Sequence, residues 1–243
     1  MKNDRSDLPI YIPPWKRDKK ERIRKAVERR KIQYLIHFTR QDNIQSILEH
    51  GLLSRRELER RGISYQWNDE NRFDRQLDAV SLSISFPNYR MFCKLRGENA
   101  NVIWVVLRIK PDILWKCKCA FYYTNAASSD FWNIPLAELQ TPEAFEGMFA
   151  NEIRGIARDP SIPDYYTTDP QAEVLVFERI PPEHIFAICT ESGQDSRQLR
   201  ELLPSFSAIE IDVCPKFFKP RTDYQRWKKD QIDDITLDDE APF

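Results

Sequence analysis

Apolar and polar residues in this chain alternate with period two over several short stretches, and change to helical spacing between them. Tyr34-Leu35-Ile36-His37-Phe38-Thr39 is an apolar run that ends in a polar pair. Alternation on a strand puts His37 and Thr39 on one face and Phe38 on the other. Ile44, Ile47, Leu48 and Leu52 then follow at helical spacing, with Thr39 or Asp42 as the N-cap and Gly51 as the stop. Ala79 to Phe86 alternates strictly, with Ser81, Ser83 and Ser85 on one face and Leu82, Ile84 and Phe86 on the other. Three hydroxyls on one side line a polar cleft or meet solvent, and Pro87-Asn88-Tyr89 ends the strand. Val102–Ile109 is nearly continuous in apolar residues and reads as a central strand closed by Pro111-Asp112. Further strands are predicted at Val174–Phe177, Ile185–Cys189 and Ile209–Val213, and helices at 20–30, 42–50 and 196–203.

The elements fit one α+β domain over residues 33–228, preceded by a basic arm or helix (1–32) and followed by an acidic tail (229–243) expected to be disordered. With 243 residues, 41% of them hydrophobic, the chain can bury one sizeable core. Six glycines against sixteen prolines, with neither G-x-G-x-x-G nor G-x-x-x-x-G-K, exclude the common phosphate-cradling motifs. No apolar run reaches membrane-spanning length, and Met1-Lys2-Asn3-Asp4-Arg5 lacks an apolar signal core, so the expectation is a cytoplasmic protein with no membrane partner. The odd cysteine count, and only one close pair (Cys117, Cys119), point to reduced thiols and no metal.

A net charge of −1 hides strong local asymmetry. Lys16–Lys31 holds ten Lys and Arg against three acids, Lys216–Lys229 six against one, and Asp230–Glu240 six acids and no base. Cations interleaved with Trp15, Phe217, Phe218, Tyr224 and Trp227 suit a single-stranded nucleic acid, whose backbone wants charge and whose bases want ring faces. The same residues also fit a solvated amphipathic helix and a polar tail.

Two positions carry the chemistry. Gln171-Ala172-Glu173 runs into Val174-Leu175-Val176-Phe177, and on a strand Gln171 and Glu173 would share a face about 7 Å apart. A carboxylate there can meet a cationic transition state while an amide orients the attacking group. His37, on position alone, reads as a half-buried histidine. Two polar, irregular stretches, Trp67–Arg75 and Asn151–Pro170, are too long to be mere connections. The second carries Arg154, Arg158, Tyr165 and Tyr166 up to Gln171 and reads as a substrate grip.

Four of these stretches together resemble the DarT-type DNA ADP-ribosyltransferase toxins, over roughly residues 33–220. They are His37-Phe38-Thr39 with its helix, Asp78 through Tyr89, Thr124-Asn125-Ala126-Ala127-Ser128, and Gln171-Ala172-Glu173-Val174-Leu175. The resemblance implies a split-sheet ADP-ribosyltransferase fold, NAD+ as co-substrate, and transfer of ADP-ribose to a base of single-stranded DNA. It also implies a toxin–antitoxin setting with a macrodomain antitoxin; a monomer is the default. By the same resemblance Glu173 is the catalytic glutamate. His37 and Thr39 bind the adenosine-side ribose, with Ser81 and Ser83 lining the NAD+ cleft. An arginine near the NAD+ phosphates is Arg72 in preference to Arg75. Gln171, Arg154, Arg158, Tyr165, Tyr166, Tyr89 and Asn125 are assigned to the acceptor, with Phe121 as a further stacking candidate. The Ser85-Phe86-Pro87-Asn88-Tyr89 stretch is closer to the guanosine branch than to the thymidine branch. Transfer to RNA or protein, and a non-catalytic single-strand-binding protein, stay open as alternatives.

Overall fold

The structure is a computed structural model that describes residues 14–66 and 77–227, with main chain alone for 14–17. Its frame is a seven-stranded sheet whose strands are β1 (Leu35–Arg40), β2 (Val80–Ile84), β3 (Trp104–Ile109), β4 (Cys119–Tyr122), β7 (Glu173–Val176), β8 (Ile185–Thr190) and β9 (Glu210–Val213). Spatial order is β4-β7-β2-β1-β3-β8-β9, antiparallel throughout except for the β8–β9 pair. A separate two-stranded hairpin, β5 (Glu152–Ile153) with β6 (Ile156–Ala157), stands in the long loop before Gln171.

Strand alternation sorts the side chains into layers. Leu35, Val105, Leu107, Ile109, Phe121, Val174, Val176 and Ile188 join one large core. Helix α1 (Pro14–Arg30) covers it through Ile23, Ala26 and Val27, and α2 (Ile44–His50) through Ile44, Ile47 and Leu48. The opposite face carries two smaller clusters. One, over β1, β3 and β8, holds Ile36, Trp104, Val106, Phe217 and Phe218 beneath α4 (Tyr89–Glu98). The other, over β4 and β7, holds Ala120, Tyr122, Phe131 and Leu175.

The sheet splits between β1 and β2. Their pairing extends only over Leu35↔Ile84 and Ile36↔Ser83, whereas β1 pairs with β3 along its whole length, Leu35↔Ile109 to Arg40↔Trp104. Two local features shape the opening. Gly51 ends α2 at φ +80°, where a Cβ would stand 2.3 Å from the Ile180 carbonyl oxygen, so only glycine lets the chain turn here. Ser85 ends β2 at φ +61°, and the Phe86 amide donates back to the Ile84 carbonyl at 2.7 Å. That turn breaks the expected alternation: Phe86 does not continue the Leu82 and Ile84 face but joins the aromatic cluster on the other side. Asn88 then caps α4, its Oδ1 accepting from the Met91 amide. Among the described residues no helix is long and apolar enough to cross a membrane.

Candidate active site

The split opens a cleft of about 260 Å³ whose lining includes His37, Thr39, Ser81, Ser83, Asn125 and Glu173. These came from four separate stretches of sequence, and the sheet order brings them together. β1 supplies His37 and Thr39, β2 the two serines, and β7, on the far side of β2, the glutamate.

His37 bridges the opening, its Nδ1 lying 3.0 Å from the Ser81 carbonyl oxygen. A carbonyl only accepts, so Nδ1 carries the hydrogen of this bond, and Nε2 is an acceptor whenever the ring is neutral. Phe38, on the other face, stacks on Phe92 with ring centres 4.5 Å apart and fixes the strand below. Thr39 Oγ1 accepts from Asn43 Nδ2 at 3.0 Å. Asn43 also exchanges two hydrogen bonds with the Gln66 main chain, donating to its carbonyl at 3.0 Å and accepting from its amide at 2.8 Å. Asn43 thus ties β1 to the chain that closes the cleft beyond α2. It was read in the sequence only as a helix residue.

Glu173 begins β7 opposite Tyr122 and is buried. Its Oε2 accepts from the Ala126 amide at 3.0 Å, while Asn125 Oδ1 accepts from the Ala127 amide at 2.8 Å. The Thr124–Ser128 stretch is therefore a turn that holds the carboxylate from its main chain. The remaining walls mix apolar residues (Ile47, Leu52, Leu53, Leu58) with polar Ser46, Tyr65, Gln66 and Asn88, and have one charged contributor besides Glu173 among the described lining residues, Arg55 at the start of α3 (Arg55–Arg61). Arg55 had no signal in the sequence beyond its charge. Arg72 and Arg75, the expected phosphate arginines, lie outside the described residues.

Several expected acceptor-binding residues are placed elsewhere. Gln171 is not on the strand: β7 starts at Glu173, and Gln171 sits in the preceding turn, its amide donating to Asp169 Oδ1 at 2.7 Å. The same-face argument therefore does not apply to the pair, and Gln171 does not line the cleft. Tyr89 is buried in the aromatic cluster beneath α4, and Tyr166 packs against Phe86 with ring centres 5.4 Å apart. Phe121 lies in the main core against Phe145. Arg158 is spent within its own loop, donating from Nη1 to the Tyr166 carbonyl (2.8 Å) and Thr168 Oγ1 (3.1 Å) and from Nη2 to the Pro163 carbonyl (2.9 Å). Tyr165 is partly exposed and Arg154 stands at the tip of the β5–β6 hairpin at φ +52°, so these two remain on the outer surface of the loop. Burial pushes the Asp169 carboxyl up to about 6, against the Thr124 hydroxyl, the Gln171 amide and the Arg221 charge, which pull it down.

The basic stretches also take different roles. On α1, Arg22 pairs with Glu143, Arg24 with Glu21 and Glu28, and both Arg29 and Arg30 with Glu146. Phe217, Phe218 and Trp227 are buried, so these rings are not open platforms for bases. The Trp15 side chain and the acidic tail lie outside the described residues.

A family model described as "ssDNA thymidine ADP-ribosyltransferase, DarT" matches residues 36–219. Comparison with curated proteins gives no match. Among solved structures, Thermosipho africanus DarTG in complex with ADP-ribose is 20% identical with a TM-score of 0.53, over 76% of this chain and 51% of that one. This chain thus spans about half the length of that relative. Thermus sp. 2.9 DarT in complex with carba-NAD+ is 16% identical with a TM-score of 0.51, over 77% of this chain and 98% of that one. At these identities the likeness is one of fold, a mixed sheet with flanking helices.

Proposed function

The chain belongs to the DarT family, and we propose that it transfers a single ADP-ribose from NAD+ to a base of single-stranded DNA. The observation that carries this reading is the pairing of a buried, amide-held Glu173 with His37 across the split of the sheet, in one cleft. The cleft suits NAD+ by its donor set. His37 Nε2 can accept from a ribose hydroxyl. Arg55 offers charge for a diphosphate, the role that the family resemblance gives to Arg72 or Arg75. The leucine and isoleucine wall suits a flat ring.

Departure of nicotinamide takes the electron pair of the glycosidic bond and leaves an oxocarbenium-like ribose. The Glu173 carboxylate, shielded from bulk water, stabilises that charge and binds the ribose 2′-hydroxyl. A base nitrogen then forms the new bond to C1′. An exocyclic amine or ring N–H is a poor nucleophile until its proton leaves, and Glu173 accepts it. The target base must be unstacked to reach C1′, which favours a single strand. Guanine is the favoured acceptor, with thymine next. That preference rests on the resemblance of the Ser85-Phe86-Pro87-Asn88-Tyr89 stretch to the guanosine branch, whereas the description of the matching family model names thymidine. By the same family reading the chain is the toxin of a toxin–antitoxin pair, opposed by a macrodomain antitoxin that removes the mark.

The test is intact-mass spectrometry of four single-stranded oligonucleotides, each lacking one base type, incubated with the protein and NAD+. The expected result is a gain of one ADP-ribose on every oligonucleotide except that without guanine. Loss only from the one without thymine keeps the enzyme and changes the base. No adduct on any of them, with NAD+ still consumed, moves the acceptor to RNA or protein.

A further inference from the structure

Glu173 is held from the front by the Ala126 amide, but its aim also depends on the chain that leads into it. Residues 158–172 contain no strand of the main sheet; a few main-chain bonds, such as the Thr168 amide to the Met148 carbonyl at 2.9 Å, and a set of side chains hold them. Arg158 knits the loop from within. A second guanidinium enters from the other end of the chain. Arg221 Nη1 donates to the Thr167 carbonyl at 2.9 Å and Nη2 to the Thr168 carbonyl at 2.8 Å. Its Nε and Nη2 also grip both oxygens of Asp223, each at 2.6 Å. Trp227 Nε1 donates to the same carboxylate at 3.3 Å, and the guanidinium carbon lies 5.7 Å from the centre of the Tyr166 ring.

Both charged side chains are 1% exposed. Removing an ion pair from water is costly, and a hydrophobic pair of the same volume would hold a loop at least as well. What a hydrophobic pair cannot do is grip two successive carbonyls in a fixed orientation. The constraint then passes along the chain by bonds. Thr167 Oγ1 donates to the Asp169 carbonyl at 2.8 Å, which also accepts from the Ala172 amide at 3.2 Å, and Asp169 Oδ1 accepts from the Gln171 amide. The next residue is Glu173. None of Thr167, Thr168, Asp169, Arg221 or Asp223 lines the cleft.

We propose that Arg221, oriented by Asp223, is a positioning residue for the acceptor side of the reaction: it sets the 167–172 turn and with it the angle at which Glu173 meets the incoming base. This rests on the functional reading above. None of the latch residues lines the cleft, and Glu173 is one contact among many to NAD+, so loss of the latch changes acceptor handling far more than NAD+ binding.

The experiment uses the full chain with Arg221→Lys, Arg221→Gln and Asp223→Asn. It measures NAD+ affinity by calorimetry and transfer against oligonucleotide concentration at saturating NAD+. Expected is NAD+ affinity within about twofold of wild type and kcat/KM for the oligonucleotide reduced at least about tenfold, the scale of a small misplacement of a catalytic group. Arg221→Lys should be as impaired as Arg221→Gln, because an ammonium cannot span two carbonyls and a carboxylate. Thr167→Val cuts only the next link and keeps the buried pair, so it serves if the Arg221 variants fail to fold; a loss of about threefold with unchanged NAD+ affinity is expected. Transfer within about twofold of wild type in the folded variants overturns the proposal. So does a parallel loss of NAD+ binding and transfer, which would make the pair a general support of the fold. If wild type itself binds NAD+ and modifies no oligonucleotide, the functional reading fails, and the latch role falls with it.

Discussion

Replacing Glu173 by glutamine keeps the shape of the side chain and removes its charge. The amide oxygen can still accept from the Ala126 amide, the bond that holds the carboxylate at 3.0 Å, so the turn at 124–128 keeps its anchor. Stability should change by no more than about 1 kcal/mol, and Tm by no more than about 4 °C in a chain of this size. Catalysis should not be spared. A carboxylate about 4 Å from an oxocarbenium-like centre, at the effective dielectric of a partly enclosed site, contributes about 4 kcal/mol. That figure corresponds to a rate loss of about 10³-fold. The assay is the time course of ADP-ribose addition to a single-stranded oligonucleotide by intact mass, at saturating NAD+, beside a thermal melt of each protein. Transfer by Glu173→Gln at more than about a tenth of the wild-type rate would refute the electrostatic role. A large fall in Tm with the same variant would instead show that the carboxylate is holding the fold.

His37→Ala should leave the Ser81 carbonyl without its imidazole partner and remove the Nε2 acceptor. An increase of about two- to tenfold in KM for NAD+ is expected, the worth of one lost hydrogen bond, and an unchanged KM would argue against a ribose contact. Asp169 gives a pH signature. Its folded-state carboxyl titrates at about 6 against an ordinary 3.8, so between those values the folded state holds a proton that the unfolded state has released. The stability that this proton contributes, up to about 3 kcal/mol, is present at pH 4 and lost as pH rises through 6. Asp169→Asn, which can still accept from the Gln171 amide, should flatten the Tm profile across that window. Identical profiles for the two proteins would dismiss the effect.

The strands were legible where burial on one or both faces leaves a period-two record. The central β3 is apolar on both sides, and the serine alternation of β2 does place Ser81 and Ser83 on the cleft. Gly51 was readable because a helix stop at positive φ needs glycine. The helices α3, α4, α5 (Ile113–Lys116), α6 (Leu136–Leu139) and α7 (Pro142–Gly147) were not, since most are four to seven residues long and too short for a 3.6-residue period to show. Of the site, His37 and Glu173 were visible because each precedes or ends an apolar run. The acceptor-side assignments were less legible for a physical reason. A sequence does not say whether an arginine or tyrosine in a polar loop faces a ligand or fastens the loop itself. Arg158 and Tyr166 do the latter. Gln171 was misplaced because the strand was assumed to start two residues early.

One side chain spans the opening that makes a cleft of this sheet. If the β1–β2 ladder continued past Ile36↔Ser83, His37 would stand opposite Leu82 and Phe38 opposite Ser81, and the two strands would close at backbone distance. Instead the Ser81 carbonyl is met by an imidazole 3.0 Å away. The Ser81 carbonyl is partly buried and favours a donor, and a side chain supplies one at a longer reach than a backbone amide can. The strands therefore separate without leaving this acceptor unpaired, and β1 makes up its ladder on the other edge with all six residues against β3. Phe38, stacked on Phe92, ties β1 to α4. One residue thus bridges the split and lines the cleft, so on the proposed function a substitution at position 37 alters the bridge and the expected ribose contact together.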